Sequence, residues 1–308
     1  MILIITHKTD FTSDFVVDKL NKKNEPYLRF NCEDILSYNF RISYENGLLN
    51  KSFFNQSGFK SVWFRRTKFP IFHDDLSPEE KIYLINETDA LMKNLFGLLG
   101  NSKWLSNPTA VYGAENKLMQ LKIAQEIGFT IPDTLVTNSK DDIRHFYYQN
   151  KGRIIVKPIS QTRLRHRQST SFFFTSLVSD EIISSLNDLD LTPCIFQAEV
   201  EKEYEIRITV VGEKIFSAVV YSQKIEETKI DWRRKKLNFY EINLPETINL
   251  YCVNLVKALG LQFGAIDMIK SKSGEYVFLE INPNGQWAWI ESDTKMNISG
   301  AIIDFLTN

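Results

Sequence analysis

The sequence predicts a mixed α/β (α+β) protein in which residues 1–105 form an α/β unit of their own. Three observations predict it. The chain opens by alternating strand, helix and strand, as a small parallel sheet requires. Asn107-Pro108 is a turn signal where that unit would end. Two apolar strands near the end, Phe263–Lys270 and Glu275–Asn282, are joined by Ser271-Lys272-Ser273-Gly274 as a hairpin. At 308 residues the chain can bury the core of two or three packed subdomains.

Taken in order, Ile2–Thr6 reads as a buried first strand, Asp14–Lys23 as a helix and Tyr27–Asn31 as a second strand. Asn46-Gly47 suits a hairpin turn. Ser61–Arg66 is a further strand. Ser77 as N-cap, Pro78 in the first helical position and Glu80 closing a capping box start a helix that runs to Leu99. Met119, Ile123 and Ile127 repeat every four residues, so a helix is expected from Ala114 to Ile127, ended by Gly128. Beyond it come a strand Thr134–Thr137, a helix Asp141–Asn150 and a strand Arg153–Lys157. Strands are then expected at Ser171–Thr175, Cys194–Val200, Glu205–Val211 and Ile215–Ser222, and helices at Thr247–Leu259 and Ile298–Leu306. Trp63, Phe64, Trp287 and Trp289 are expected in the core.

Thirty-seven basic against thirty-eight acidic residues leave a formal charge of −1, with no overall pull toward nucleic acid. No apolar run is long enough for a membrane span. Cys32, Cys194 and Cys252 lie far apart, without metal or disulfide spacing, which suits a reduced cytoplasm.

The final hairpin is the most informative stretch. Glu280 and Asn282 share a strand face. With residues 271–274 as the turn, Lys270 faces Glu275, Asp267 faces Phe278, and Glu280 is diagonal to Asp267 at roughly 7–8 Å. Two carboxylates and an amide oxygen on one face suit magnesium, which takes oxygen ligands and keeps waters or phosphate oxygens. The competing reading is a solvated sheet face, but the apolar flanks Ile266, Met268, Leu279 and Ile281 imply burial, where unpaired carboxylates are costly. Lys157 ends an apolar strand and Lys117 lies near a helix start, where the dipole disfavours a cation unless an anion joins it. Either would otherwise be a solvated lysine. Gln197-Ala198-Glu199-Val200 ends a strand whose backbone can meet an adenine, with carboxylates nearby for a ribose. Glu205 and Arg207 share a face, and Arg207 suits a terminal phosphate. A plain salt bridge is the alternative.

In this order and spacing, Lys117, Lys157, Gln197–Val200, Glu205-x-Arg207, Asp267 and Glu280-x-Asn282 resemble the ATP-grasp superfamily. Ser61–Arg66, Thr192–Gln197, Asp231-Trp232-Arg233 and Asn282–Trp287 are similar to the graspetide maturases, of the microviridin and grasp-with-spasm types. The resemblance implies an N-terminal pre-ATP-grasp domain (1–105), a central subdomain (106–198) and a C-terminal subdomain with the metal site (199–308). It implies that Lys117 and Lys157 hold ATP phosphates, Gln197, Ala198, Glu199 and Val200 contact adenine, and Glu205 holds the ribose. Asp267, Glu280 and Asn282 would ligate two magnesium ions, with Arg207 facing the γ-phosphate and the incoming carboxylate. The implied substrate is a ribosomally made precursor peptide with a leader and an acidic core, and the implied assembly is a cytoplasmic homodimer. Asp180 and Glu181 lie where the leader would dock. Arg65, Arg66, Arg163, Arg165 and Arg233 are candidates for placing the acidic core, or are surface ion pairs. Of Arg65 and Arg66, adjacent on a strand, only one is expected to face the cleft. Residues 158–167 depart from the family by lacking glycine, so their arginines rather than backbone amides would meet phosphate or peptide. Two other readings share these features: a ligase adding an amino acid such as glutamate to a protein or small molecule, and a silent nucleotide-dependent peptide-binding protein.

Overall fold

The computed structural model describes all residues except 55, 57, 161–162 and 166–169, and only the backbone of 53, 163–165 and 170–172. The first sheet is parallel, with the order β2-β1-β5-β6, built from β1 (Ile2–Thr6), β2 (Tyr27–Asn31), β5 (Ser61–Phe64) and β6 (Lys103–Leu105). β1 is buried along its whole length, as a strand covered on both faces must be. One face carries Ile2, Ile4 and Trp63 against α1 (Phe11–Lys22) and α9 (Ile298–Thr307). The other carries Leu3, Ile5, Val62 and Phe64 against α2 (Pro78–Gly97). A separate hairpin, β3 (Phe40–Glu45) and β4 (Leu48–Phe53), turns at Asn46-Gly47. The capping box of α2 is formed in both directions, Glu80 N to Ser77 Oγ at 3.2 Å and Ser77 N to Glu80 Oε2 at 2.8 Å.

α3 (Pro108–Ala114) and α4 (Lys117–Ile127) follow. The expected turn at Asn107-Pro108 is instead a helix start: Asn107 caps α3 and Pro108 fills its first position. The helix expected from Ala114 therefore begins later, at Lys117, where Asn116 caps it through the amides of Leu118 and Met119. Gly128 ends α4 at φ +112°. A second sheet, in the order β11-β8-β12-β7, joins β7 (Thr134–Thr137), β8 (Ile154–Lys157), β11 (Ser176–Leu177) and β12 (Cys194–Ala198), flanked by α5 (Lys140–Gln149) and α6 (Asp180–Ser184). The strand expected at Ser171–Thr175 ends early, at Phe172, and the next strand begins only at Ser176. β10 (Thr170–Phe172) pairs with β9 (Arg163–Arg165), whereas β11 pairs with β8. Ile143, Phe146, Ile154 and Phe196 form this region's own core.

The third sheet is antiparallel, β15-β14-β13-β16-β17, from β13 (Lys202–Val211), β14 (Lys214–Val220), β15 (Tyr240–Glu241), β16 (Phe263–Ser271) and β17 (Tyr276–Asn282). Ile206, Ile208, Ile266 and Phe278 pack with α7 (Glu246–Ala258) in the core that also holds Leu3 and Phe64. α8 (Ala288–Thr294) and α9 close the chain. The register of the last hairpin differs from expectation. Lys270 faces Tyr276 rather than Glu275, because Gly274, at φ +90°, makes the connection one residue longer. Lys270 Nζ accordingly donates to the Gly274 carbonyl and lies over the Tyr276 ring instead of pairing with Glu275. A bulge at Leu279 then brings Glu280 directly opposite Asp267, not diagonal to it.

Candidate active site

Two cavities meet at the last hairpin. The first lies between the second and third sheets and is lined by Lys117, Lys157, Gln197–Val200, Glu205, Arg233, Asp267 and Glu280, among others. The second is lined by Arg65, Arg66, Tyr112, Glu115, Gln120 and Asn282, and shares Lys117 and Glu280 with the first.

Ion pairs set the geometry. Arg207 Nη1 donates to Asp267 Oδ2 at 2.7 Å, and Asn282 Nδ2 donates to the same oxygen at 3.2 Å. Lys117 Nζ is 3.5 Å from Glu280 Oε2 and 3.4 Å from the Pro158 carbonyl. Lys202 Nζ is 2.9 Å from Glu205 Oε1. Arg233 is held by Asp231, Nε to Oδ1 at 2.8 Å, which keeps its guanidinium charged. Burial, joined by the charges of Lys117 and Arg233, lowers the Lys157 ammonium to about 8 against the pull of Glu280. Burial raises Glu205 despite Lys202. Asp267 is raised by burial, with the charge of Glu280 adding to it and Arg207 opposing. Burial also works against the Glu280 charge, but Lys117, Lys157 and Arg233 together hold its carboxyl below the usual range.

These directions describe a site made for paired charges. Two carboxylates face each other across a ladder, an arrangement that a divalent cation relieves. The half-buried lysines Lys117 and Lys157, lacking full compensation, are relieved by an anion. Among the described residues there is no cluster of three or more His, Cys, Asp and Glu. The protein thus offers two carboxylates and the Asn282 amide, the incomplete oxygen set that suits magnesium sharing its shell with phosphate, not a closed structural cage. The residues fit that metal.

Arg65 and Arg66 depart from expectation. β5 ends at Phe64, so strand alternation no longer applies and both line the second cavity. Arg65 is fully buried, 3.4 Å from Asp10, while Arg66 is exposed and its Nη2 reaches the Asn284 carbonyl at 3.5 Å. Asp180 and Glu181 open α6, away from both cavities, and Asp180 accepts from the Tyr147 hydroxyl at 2.9 Å. The side chains of Arg163 and Arg165, and all of Arg167, lie outside the described residues.

Sequence reasoning gave no role to three positioning groups, two of them within the stretch Asn282–Trp287 that it singled out. Gln120, one turn after Lys117 on α4, clamps the helix to β17: its Nε2 donates to the Ile281 carbonyl at 2.9 Å and its Oε1 accepts from the Ile281 amide at 3.0 Å. A polar residue at the buried i+3 position was the available signal. Gly285 lets the chain pass Arg207, since a Cβ there would sit 2.8 Å from Arg207 Nη2. The Gln286 carbonyl accepts from Arg207 Nη2 at 3.4 Å.

Comparison with known proteins places this geometry. Residues 1–112 match the family model of the MvdD pre-ATP grasp domain, and residues 114–306 match that of the RimK-like ATP-grasp domain. The macrocyclase MdnC from Microcystis aeruginosa MRC, solved with precursor peptide MdnA, is 29% identical, with a TM-score of 0.87 over 100% of this chain and 99% of that one. A RiPP-associated ATP-grasp ligase from Chryseobacterium gregarium, solved with ADP and a leader and core peptide, is 30% identical, with a TM-score of 0.87 over 99% and 96%. The macrocyclase MdnB from Microcystis aeruginosa MRC is 33% identical, with a TM-score of 0.80 over 99% and 98%. Among curated proteins, a probable alpha-L-glutamate ligase from Legionella pneumophila (strain Corby) is 24% identical over 203 residues, 66% of the length of each chain.

Proposed function

The chain belongs to the RimK-like ATP-grasp family, and from that premise we propose that it is an ATP-dependent carboxylate ligase closing side-chain ester or amide bonds within a ribosomally made precursor peptide. The observation that carries the reading is the face shared by Asp267, Glu280 and Asn282, set at the seam of two cavities with Lys117 beside it. One cavity then receives nucleotide and the other the peptide.

In this reading Lys117 and Lys157 hold the phosphates, Gln197–Val200 the adenine and Glu205 the ribose. A carboxylate oxygen of the peptide attacks the γ-phosphorus, ADP leaves, and an acyl phosphate results. A peptide hydroxyl or amine then attacks the acyl carbon, loses its proton, and expels phosphate. Arg207, fixed on Asp267, would offset the charge that develops on the transferring group, which is where a fixed cation accelerates most. Magnesium, held by Asp267, Glu280 and Asn282, supplies neutralisation of the phosphate charge when bound. Arg65 and Arg66 line the cavity that would take the acidic core, and Arg233, in the neighbouring cavity, would meet the core only where the two join; water must be kept from the acyl phosphate while the second attack occurs. Asp180 and Glu181 mark the leader-docking end. The proposal extends to a homodimer in the cytoplasm, where the three unpaired cysteines suit a reducing medium.

The test is to incubate the protein with ATP, magnesium and an acidic peptide bearing Thr, Ser or Lys. ADP and a product lighter by one water per bond are expected. Asp267→Ala and Glu280→Ala should each abolish both signals while the circular dichroism spectrum is kept; persistent ADP formation in both would refute the metal assignment. A heavier product would instead favour amino-acid addition, the reading to which the glutamate-ligase relatives point.

A further inference from the structure

We propose that Glu115 is the base of the second step: its carboxylate takes the proton of the peptide hydroxyl that attacks the acyl phosphate. The inference rests on the reading of the chain as a peptide-modifying ligase, and it names a group which that reading leaves open. The hydroxyl oxygen bonds to the acyl carbon as its O–H bond breaks and the proton passes to the Glu115 carboxylate. Phosphate then leaves with the electron pair of the acyl carbon–oxygen bond. Glu115 returns its proton to solvent, to which it is exposed.

The other carboxylates of the two cavities are already spent. Glu199, Glu205, Asp231, Asp267 and Glu280 each pair with a basic side chain. Among the described residues Glu115 alone of the cavity carboxylates has no ion pair and no side-chain hydrogen bond. No histidine lines either cavity among those residues. A carboxylate is also the wrong charge for this place, since Glu115 lines the cavity read as receiving acidic side chains, beside Arg65 and Arg66. Desolvation raises its carboxyl above the ordinary 4.5, against the opposing charge of Arg66. A raised carboxyl is a stronger base, and in that cavity it meets the substrate group that must give up a proton.

The backbone fixes where this carboxylate stands. Glu115 lies between Ala114, the end of α3, and Asn116, which caps α4. Gln120 Nε2 donates to the Ala114 carbonyl at 2.7 Å and to the Ile281 carbonyl at 2.9 Å. Ile281 sits between Glu280 and Asn282, so the residue before Glu115 is tied to the strand that carries both. On the other flank, Lys117 reaches Glu280 at 3.5 Å. Glu115 is therefore held from both sides at the peptide edge of the seam where the acyl phosphate would form. Glu280 cannot serve in its place, because Lys117 and the facing Asp267 commit it.

The experiment incubates the full chain with ATP, magnesium and an acidic peptide bearing Thr but no Lys, with and without hydroxylamine. Hydroxylamine is uncharged at neutral pH and attacks an acyl phosphate without help from a base, so peptide hydroxamate reports the first step alone. Glu115→Gln keeps the shape and removes the base. It should close rings on the order of 10²-fold more slowly while hydroxamate still forms, and Glu115→Asp should lie between it and the unaltered protein. Circular dichroism checks that each variant keeps the fold. A Glu115→Gln protein that closes rings at the unaltered rate would overturn the assignment. So would one that loses hydroxamate and ring closure in equal measure, the mark of a structural role, and so would Glu115→Asp closing rings no faster than Glu115→Gln. If the unaltered protein yields neither ADP nor hydroxamate, the ligase reading falls and takes the base with it, a result distinct from normal activation with an indifferent Glu115.

Discussion

Replacing Asp10 with asparagine isolates the charge that holds Arg65 under the second cavity. Asp10 caps α1 through Oδ1, which accepts from the Thr12 amide at 3.2 Å. Its Oδ2 accepts from the Thr6 hydroxyl at 2.8 Å and from Arg65 Nε at 3.4 Å. Asparagine caps a helix about as well as aspartate, so the cap survives and the charge does not. The Arg65 side chain is 0% exposed and that of Asp10 is 1%, so the guanidinium would be left in the interior without a counter-charge. Breaking such a pair from one side costs roughly 3–5 kcal/mol. With an unfolding entropy of about 2.1 cal/mol/K per residue over this chain, the melting temperature should fall by roughly 5–8 °C. The double variant Asp10→Asn with Arg65→Met removes both charges and should lie within about 2 kcal/mol of the unaltered protein, since an apolar replacement of a buried pair is often neutral.

The same pair predicts a pH dependence. Burial alone would raise the Asp10 carboxyl, but Arg65 and the Thr6 hydroxyl outweigh it and hold it below its ordinary 3.8. A group depressed by folding stabilises fully above its unfolded value, and that contribution is lost as pH falls through the lower folded value. Thermal melts followed by circular dichroism from neutral pH into acid should therefore show a steeper acid limb for the unaltered protein than for Asp10→Asn. Melting of Asp10→Asn within about 2 °C of the unaltered protein at pH 7 would refute the reasoning, as would a double variant less stable than the single one.

Two glycines give further expectations. Gly285→Ala would put a Cβ 2.4 Å from Ala265 Cβ and 2.8 Å from Arg207 Nη2, displacing Arg207 from Asp267; ADP-forming turnover should drop on the order of 10²-fold, and unchanged kcat would show that the Arg207 position is not critical. Gly128→Ala would place an L side chain at φ +112° with its Cβ 2.9 Å from the Tyr251 hydroxyl; a loss of about 1–3 kcal/mol in urea unfolding is expected, with nucleotide affinity kept because Lys117 is at the other end of α4.

What could be read from the chain beforehand was what is local. The capping box of Ser77 and Glu80, the left-handed stop at Gly128 and the Asn46-Gly47 turn each depend on residues within one helical turn or hairpin loop. Asp267, Glu280 and Asn282 could be placed on one face because strand alternation is a two-residue rule. The features missed are those fixed by distant partners. A polar residue at a buried helix position singles out Gln120, but nothing near it names β17, 161 residues away, as its partner. β5 ends before Arg65 although Arg65 N still bonds the Ile5 carbonyl, so the side-chain directions of Arg65 and Arg66 follow the packing of Asp10 and Gln286 rather than the pleat. Asn107-Pro108 serves equally as a turn or a helix start, and only the helix behind it decides.

The last hairpin shows how a site can be inferred correctly from a register that is not the real one. The connection pairs Lys270 with Tyr276, one residue off the expected partner. Because faces alternate with a period of two, that slip alone would align Asp267 with Leu279 and send Glu280 and Asn282 to the other face. The bulge at Leu279 inserts one more residue and restores the parity, so Asp267 meets Glu280 and Ala265 meets Asn282. The two offsets cancel for the facing of side chains but not for their separation, which shortens from a diagonal to a direct pair. Burial is the main cause that raises the Asp267 carboxyl, and direct opposition adds its neighbour's charge, while Arg207, Lys117 and Lys157 surround the pair. A flat, regular hairpin would have been the more stable choice for two carboxylates. The bulge imposes a like-charge contact that only cations can offset, and it does so where both cavities open.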